Sequence, residues 1–225
     1  MNIELALITQ PLLLSIKTIS VSAILFIVLG VPLAYLLSKE NLKFKWLLDT
    51  IVTMPLIFPP IAMGFFLLLL LGRDGVLGAF LQKFDISVIF SFTGIVIAGF
   101  VAGLPLMVKP LQSTIEQFPK QIKEASFISG KSEVKTFLFI VLPTIKNSLV
   151  VALLIATARA LGEVGITLML GGNIVGKTDT VSLAIYNAVF DGEYDFAMIL
   201  SGILVVTSLI FFISLSILQK KEKII

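Results

Sequence analysis

Five apolar blocks alternate with polar intervals along the chain, at about 12–37, 47–71, 86–107, 147–168 and 196–218. Each supplies the ~20 residues that an α-helix needs to cross a hydrocarbon core of ~30 Å. The pattern predicts an all-α, polytopic helical membrane protein of about five transmembrane helices, forming one transmembrane domain over residues 1–225. The start of the chain is poor in charge, with only Glu4 before Lys17. It shows neither the basic flank nor the small-residue cleavage site of a signal peptide, so the first block reads as an uncleaved span.

The polar interval 109–146 is patterned more closely than a simple connection needs. Residues 124–143 read as a short helix, a corner at Gly130, and a second amphipathic helix that ends at Pro143. Ala125, Ser126 and Ser129 give the first helix a face of small side chains, which lets another surface come close. Val134, Phe137, Leu138 and Val141 repeat at i, i+3, i+4 and i+7, a stripe that would pack on the membrane-embedded body. Ser132 is placed to cap this helix, with Glu133 in its first turn.

Composition narrows the chemistry. The chain is 57% hydrophobic and 14% charged, with no cysteine and no histidine. Disulfides, thiolate metal sites and the commonest general base are therefore absent, and neither covalent nor metal catalysis is expected. Charge placement sets orientation. Twelve lysines lie in the intervals 38–49, 109–146 and 219–225, whereas the other side carries only Arg73, Lys83 and Lys177. The positive-inside rule puts the N-terminus outside, the C-terminus inside and residues 124–143 in the cytoplasm.

Two places inside the apolar blocks carry candidate chemistry. Pro55, Pro59 and Pro60 interrupt the second block, and each removes an N–H and frees a carbonyl a turn earlier. Such backbone belongs against other helices or a watery cavity, either as pathway lining or as a packed kink. In the fourth block Arg159 and Glu163 sit at i, i+4 beside Gly162 and Gly165. They read as a structural ion pair or as a gate at which Arg159 faces an anion; a net-neutral pair suits passage better than tight binding. The outer loops lean acidic, with Asp74 and Asp85 in one and Asp179, Asp191, Glu193 and Asp195 in the other. No basic funnel that would gather anions is present there. Asp74, Asp179, Asp191 and Glu193 are candidates for docking another protein on the outer side.

Glu124-Ala125, Gly130 and, after nine intervening residues, Ile140-Val141-Leu142-Pro143 resemble the cytoplasmic "EAA" loop of importer-type ABC-transporter permeases, with Ser126 where a second alanine is common. That resemblance implies a coupling helix docked on an ATP-hydrolysing subunit, with Glu124, Ala125, Ser126, Gly130, Leu142 and Pro143 carrying the contact. A finer resemblance, to the molybdate branch of these permeases, runs through most of the chain. It rests on Met54-Pro55-Leu56-Ile57-Phe58-Pro59-Pro60, Gly72-Arg73-Asp74-Gly75, the run from Ala158 to Gly165, Leu168-Met169-Leu170-Gly171-Gly172-Asn173-Ile174, Gly176-Lys177-Thr178, Thr180 and Ala184-Ile185-Tyr186. It implies import of molybdate, with tungstate or sulfate/thiosulfate as alternative cargo, delivery by an extracytoplasmic oxyanion-binding protein that would dock on the acidic outer loops, and a multi-pass place in the cell membrane. Val164 departs from this branch, where an aromatic residue is frequent.

No phosphate loop of the form G-x-x-x-x-G-K-[ST] is present, so ATP and Mg would be bound by a partner. Together with the resemblance, five spans and a single coupling loop imply two copies of this chain with two copies of the ATPase. No nucleic-acid partner is implied. Two other classes compete: a gradient-driven secondary transporter, favoured only by the broken second block, and a structural membrane docking subunit, which would need neither broken spans nor intramembrane charges.

Overall fold

The hydropathy pattern resolves into helices throughout. The computed structural model describes residues 2–222, and all regular elements among the described residues are helical. The chain begins with α1, Asn2–Leu25, which continues through one π turn, Phe26–Gly30, into α2, Val31–Leu37. Next come α3, Lys45–Ile57, α4, Pro60–Leu71, and the short α5, Val76–Gln82. The central helix is α6, Phe92–Glu116. The polar interval holds α7, Lys120–Ile128, α8, Glu133–Thr136, a second π turn, Phe137–Val141, and α9, Leu142–Thr144. The chain returns through α10, Lys146–Leu161, α11, Gly165–Gly171, α12, Val181–Phe190, and α13, Tyr194–Glu222.

Two helical stretches, Leu7–Leu37 and Phe92–Glu116, are long and apolar enough to cross a membrane unaided. Two bent pairs bring the number to four if each counts as one span: Pro60–Leu71 with Val76–Gln82, bent by 46°, and Glu133–Thr144 with Lys146–Leu161, bent by 78°. The apolar stretch Tyr194–Ile210 lies in the region expected for the fifth span. The expected boundaries need correction at three places. The 47–71 block is two helices, parted at Phe58 and Pro59. The 86–107 block becomes helical only at Phe92 and stays helical to Glu116, so its last turns occupy part of the expected loop. The 147–168 block is cut between Leu161 and Gly165.

Small residues fix the waist of the bundle. A Cβ placed on Gly99 would lie 3.3 Å from both Ala160 and Ser22, and one on Gly103 would lie 2.5 Å from Phe26 and from the Ala156 carbonyl. A Cβ on Gly30 would meet Met107 at 3.0 Å. The pairs Ser22–Gly99, Phe26–Gly103 and Gly30–Met107 advance together by four residues, so the first helix and α6 run parallel in fixed register. Ala156 and Ala160 meet α6 in the reverse order, so α10 is antiparallel to it. Close backbone approach through glycine and alanine is how helices associate where the hydrophobic effect cannot drive them together. Phe26, Met107, Leu111, Ile115, Phe137, Ala152 and Ala156 belong to the core that grows from this contact.

Each π turn precedes a proline by two residues. Val31 donates to the Phe26 carbonyl just before Pro32, and Leu142 donates to Phe137 just before Pro143. A proline ring crowds the carbonyl four residues back, and the wider turn moves that carbonyl aside. Pro11, Pro55, Pro105 and Pro110 lie in helices without such a turn. Pro143 therefore does not end its helix, which runs on to Thr144 and bends at Ile145. The π turn also splits the expected apolar stripe: Phe137 and Val141 are buried with Thr136, while Val134 and Leu138 face outward.

Charge knits one end of the bundle together. Lys39 pairs with Glu133 at 3.0 Å, Lys45 with Glu116 at 3.2 Å, Lys109 with Asp49 at 2.7 Å, and Lys120 with Glu40 at 3.6 Å. All four join the interval 38–49 to the interval 109–146. Two segments assigned to one side by charge counting alone are thus brought into contact. At the opposite end, Val181 donates to Ser15 Oγ at 2.9 Å, and the Gln10 side chain lies against Gly176. The expected outer loop 171–195 is consequently no simple loop, because it contains α12, whose Val181, Ser182, Leu183, Ala184 and Ala188 are buried.

Candidate functional site

The two interrupted blocks meet. Proline disfavours helical backbone at the residue before it, so Phe58 (ψ 143°) and Pro59 (ψ 135°) are extended and Pro60 opens α4 as its first residue. Gly165 opens α11 against this break: a Cβ there would stand 2.8 Å from Pro60 Cβ and 2.9 Å from the Ile61 nitrogen. One turn further along α4, a Cβ on Gly64 would lie 2.9 Å from Met169 Cβ and 3.0 Å from Ile166 Cα. The two half-helices are therefore zipped by glycine. Sequence reasoning paired Gly165 with the ion pair and overlooked Gly64, whose i+4 spacing from Pro60 was the available signal.

Glu163 lies in the short link between α10 and α11. Its carboxylate is 1% exposed and held at both ends: Arg159 approaches one oxygen at 2.6 Å, and Ile166 N–H donates to the other at 2.7 Å. Arg159 is 32% exposed. Gly162, Pro59 and Pro60 are exposed as well, whereas Pro55 is half-buried in α3. The helix break, the guanidinium edge and the two prolines thus open on the surface of a single chain. Behind them, Ser182 donates to the Leu161 carbonyl that the break would otherwise leave unpaired.

The corner at the basic end has the reverse character. Glu124, Ala125, Ser129 and Gly130 are exposed, and Gly130 sits at φ +78° with nothing within 4 Å of a placed Cβ. Ser132 caps α8 by accepting from Lys135 N–H. Ser126 corrects the expected small face. It points inward, 5% exposed, and its Oγ lies 2.8 Å from Thr136 Oγ1, so it clamps α7 to α8 and presents nothing to a partner. Leu142 is half-buried and Pro143 exposed. Beneath α7, Lys123 donates to the Ile115 carbonyl at 3.1 Å; burial first, and Lys120 second, hold its pKa below the usual lysine range. Glu133 is held below the usual carboxylate range, first by its hydrogen bond to Lys39.

At the outer end Asp74, Asp191 and Glu193 are exposed. Asp179 is not: it is 5% exposed, and its carboxylate accepts from Gly176 N–H at 2.8 Å. Burial pushes its pKa up. It shapes the loop from within and is no surface group. Thr178 does similar work, donating to the Gly171 carbonyl and accepting from Ile174 N–H. Among the described residues no group of His, Cys, Asp and Glu side chains is arranged to hold a metal ion.

Similarity to known proteins covers nearly all of these features. A family described as "binding-protein-dependent transport system inner membrane component" matches residues 26–223. A probable transport system permease protein, NifC, of Clostridium pasteurianum is 36% identical over 81% of this chain and 64% of its own length; the chain thus spans just under two thirds of that relative. The molybdenum transport system permease protein ModB of Azotobacter vinelandii is 32% identical over 87% of both chains. ModB of Escherichia coli is 34% identical over 80% of this chain and 79% of its own. The sulfate transport system permease protein CysT of Salmonella typhimurium is 28% identical over 86% of this chain and 70% of its own. With the match extending from the first π turn into α13, this chain belongs to the family of inner-membrane components of binding-protein-dependent transport systems.

Proposed function

We propose that this chain is the membrane-spanning permease subunit of an ABC importer that carries molybdate into the cytoplasm. The observation that carries the reading is the meeting of two helix breaks at Pro59–Pro60 and Gly162–Gly165, with a partly exposed guanidinium between them. Broken helices are tolerated within a bilayer only against protein or a water-filled path. Two copies of the chain would enclose that path between their open faces, with Pro55, Pro59, Pro60, Arg159, Gly162, Glu163 and Gly165 along it. Glu163 neutralises Arg159, so an oxyanion meets a weak site that it can leave.

The exposed surface of Glu124, Ala125 and Gly130 would dock on an ABC ATPase, present in two copies, which binds ATP and Mg; this chain then needs no cofactor of its own. Ser126 serves the docking helix through Thr136, and Leu142 and Pro143 set the bend into α10. Asp74, Asp191 and Glu193 offer an acidic outer rim for an extracytoplasmic oxyanion-binding protein. Molybdate is favoured over sulfate by the higher identity to the molybdenum permeases, 32–34% against 28% for the sulfate permease.

The test is ATP hydrolysis by the purified complex in lipid. Stimulation by the cognate binding protein loaded with molybdate, and not by the empty protein, is the expected result. A binding protein that takes sulfate tightly and molybdate not at all overturns the cargo. A complex with no stimulated hydrolysis overturns the transporter reading itself.

A further inference from the structure

One aromatic corner is unexplained by transport. At the start of α3 the chain carries Lys43, Phe44, Lys45 and Trp46 in a row. Phe44 takes a left-handed backbone, φ +59°, which a bulky L-residue adopts only at a cost. Phe44 and Trp46, two residues apart, are each 69% exposed. The Trp46 indole N–H has no hydrogen-bond partner among the described residues. Leu47 and Ile51 continue the exposed apolar surface along α3. Within the interval 38–49, Lys39 and Lys45 each have a carboxylate partner, and Lys43 has none among the described residues.

We propose that Lys43, Phe44 and Trp46 form a binding site for the headgroup of an anionic lipid in the cytoplasmic leaflet. Two exposed rings at the basic end of the bundle, where the second apolar block begins, belong at the headgroup level, where Trp keeps its body in apolar surroundings and its N–H in polar ones. A lysine without a counter-ion beside them supplies the charge that a phosphodiester requires, and the leaflet facing the basic end is the anionic one. The site fastens to the bilayer the same turn that Lys39 and Glu40 tie to the candidate coupling loop through Glu133 and Lys120. Lipid would thus hold the fixed side of the joint.

Trp46 is the only tryptophan in the chain, so its depth can be measured directly. The full-length protein in nanodiscs, with Trp46→Phe subtracted as background, is titrated with phosphatidylglycerol brominated near the headgroup, and separately with phosphatidylcholine brominated at the same depth. The expected result is stronger quenching by the phosphatidylglycerol at equal mole fraction. Lys43→Gln should reduce that preference about fivefold, and Lys43→Arg should retain it. Equal quenching by the two lipids in the unmodified protein overturns the proposal. So does quenching by aqueous acrylamide alone, which marks a surface in water. Protection from both lipid and acrylamide overturns it too, because a second copy of the chain then covers the corner.

Discussion

Two glycine-marked joints organise this molecule, and they use glycine for opposite reasons. At the helix breaks, Gly165 is there for lack of room: backbone and proline stand within 3 Å of a placed Cβ. At the basic end, Gly130 has open space around it and is there for its φ of +78°. The first joint is a packed contact between two half-helices, set by volume. The second is an exposed turn, set by backbone angle, with open space around it. A joint already filled by its own protein suits a path that must seal. A joint left empty suits a surface that another protein completes.

This contrast can be broken most forcefully at Gly165. Gly165→Ala should cost about 1–3 kcal/mol through overpacking, because the obstructing atoms are backbone and ring atoms that cannot turn aside. Thermal unfolding of the solubilised protein would read it, and an unchanged midpoint would show that the half-helices are not zipped. Next comes Gly130. Gly130→Val should cost about 1–2 kcal/mol for the left-handed backbone, whereas Gly130→Asn, which tolerates that conformation, should unfold like the parent. If the corner is a docking surface, Gly130→Asn nevertheless lowers ATPase stimulation; full stimulation with an added side chain there would deny it.

A smaller effect is expected within the corner. Ser126→Ala or Thr136→Val alone leaves a buried hydroxyl without its partner, at about 1–2 kcal/mol, while the double substitution recovers most of that loss. Additive losses in the double-mutant cycle would mean that the two hydroxyls do not share a bond. Smallest of all is a pH effect. Glu133 is held below the usual carboxylate range when folded, so its tie to Lys39 is complete at neutral pH and is lost as pH falls through and below that range. Both side chains are partly exposed, so the loss is well under ~1 kcal/mol. Hydrogen exchange in α7 and α8 would record it, and an exchange rate unaffected by acid would remove the tie from the account.

The architecture was legible where one residue type acts alone. Lysine counts put 38–49 and 109–146 on one side, and the ion pairs join those very segments. Pro59 and Pro60 announced their break, because a proline rejects helix at the preceding residue wherever it stands. What escaped depended on two distant residues at once. The inward turn of Ser126 needs Thr136 in position, and the burial of Asp179 needs a loop that folds back on Gly176. The π turns escaped for another reason. An added residue in a helical turn leaves no mark in a 3.6-residue pattern except a shift of phase, so Val134 and Leu138 looked like core and are surface. The burial of α12 was hidden by its length, since a ten-residue helix is too short to read as a span.

The parallel register of the first helix with α6 has a mechanical consequence. From Asn2 to Leu37 that helix is one continuous rod of about 54 Å, well beyond the ~30 Å of a hydrocarbon core. Just past one end, Lys39 grips Glu133 beside the candidate coupling loop. Toward the other, the Gln10 side chain lies against Gly176 and Ser15 Oγ accepts from Val181 N–H. A rod pivoting at its waist near Phe26 swings its two ends in opposite directions; Leu37 lies about 16 Å from that pivot and Gln10 about 24 Å, so each degree of tilt moves them by about 0.3 and 0.4 Å. A few degrees given to the rod at one membrane surface therefore arrive at the other as displacement larger than the slack in a hydrogen bond.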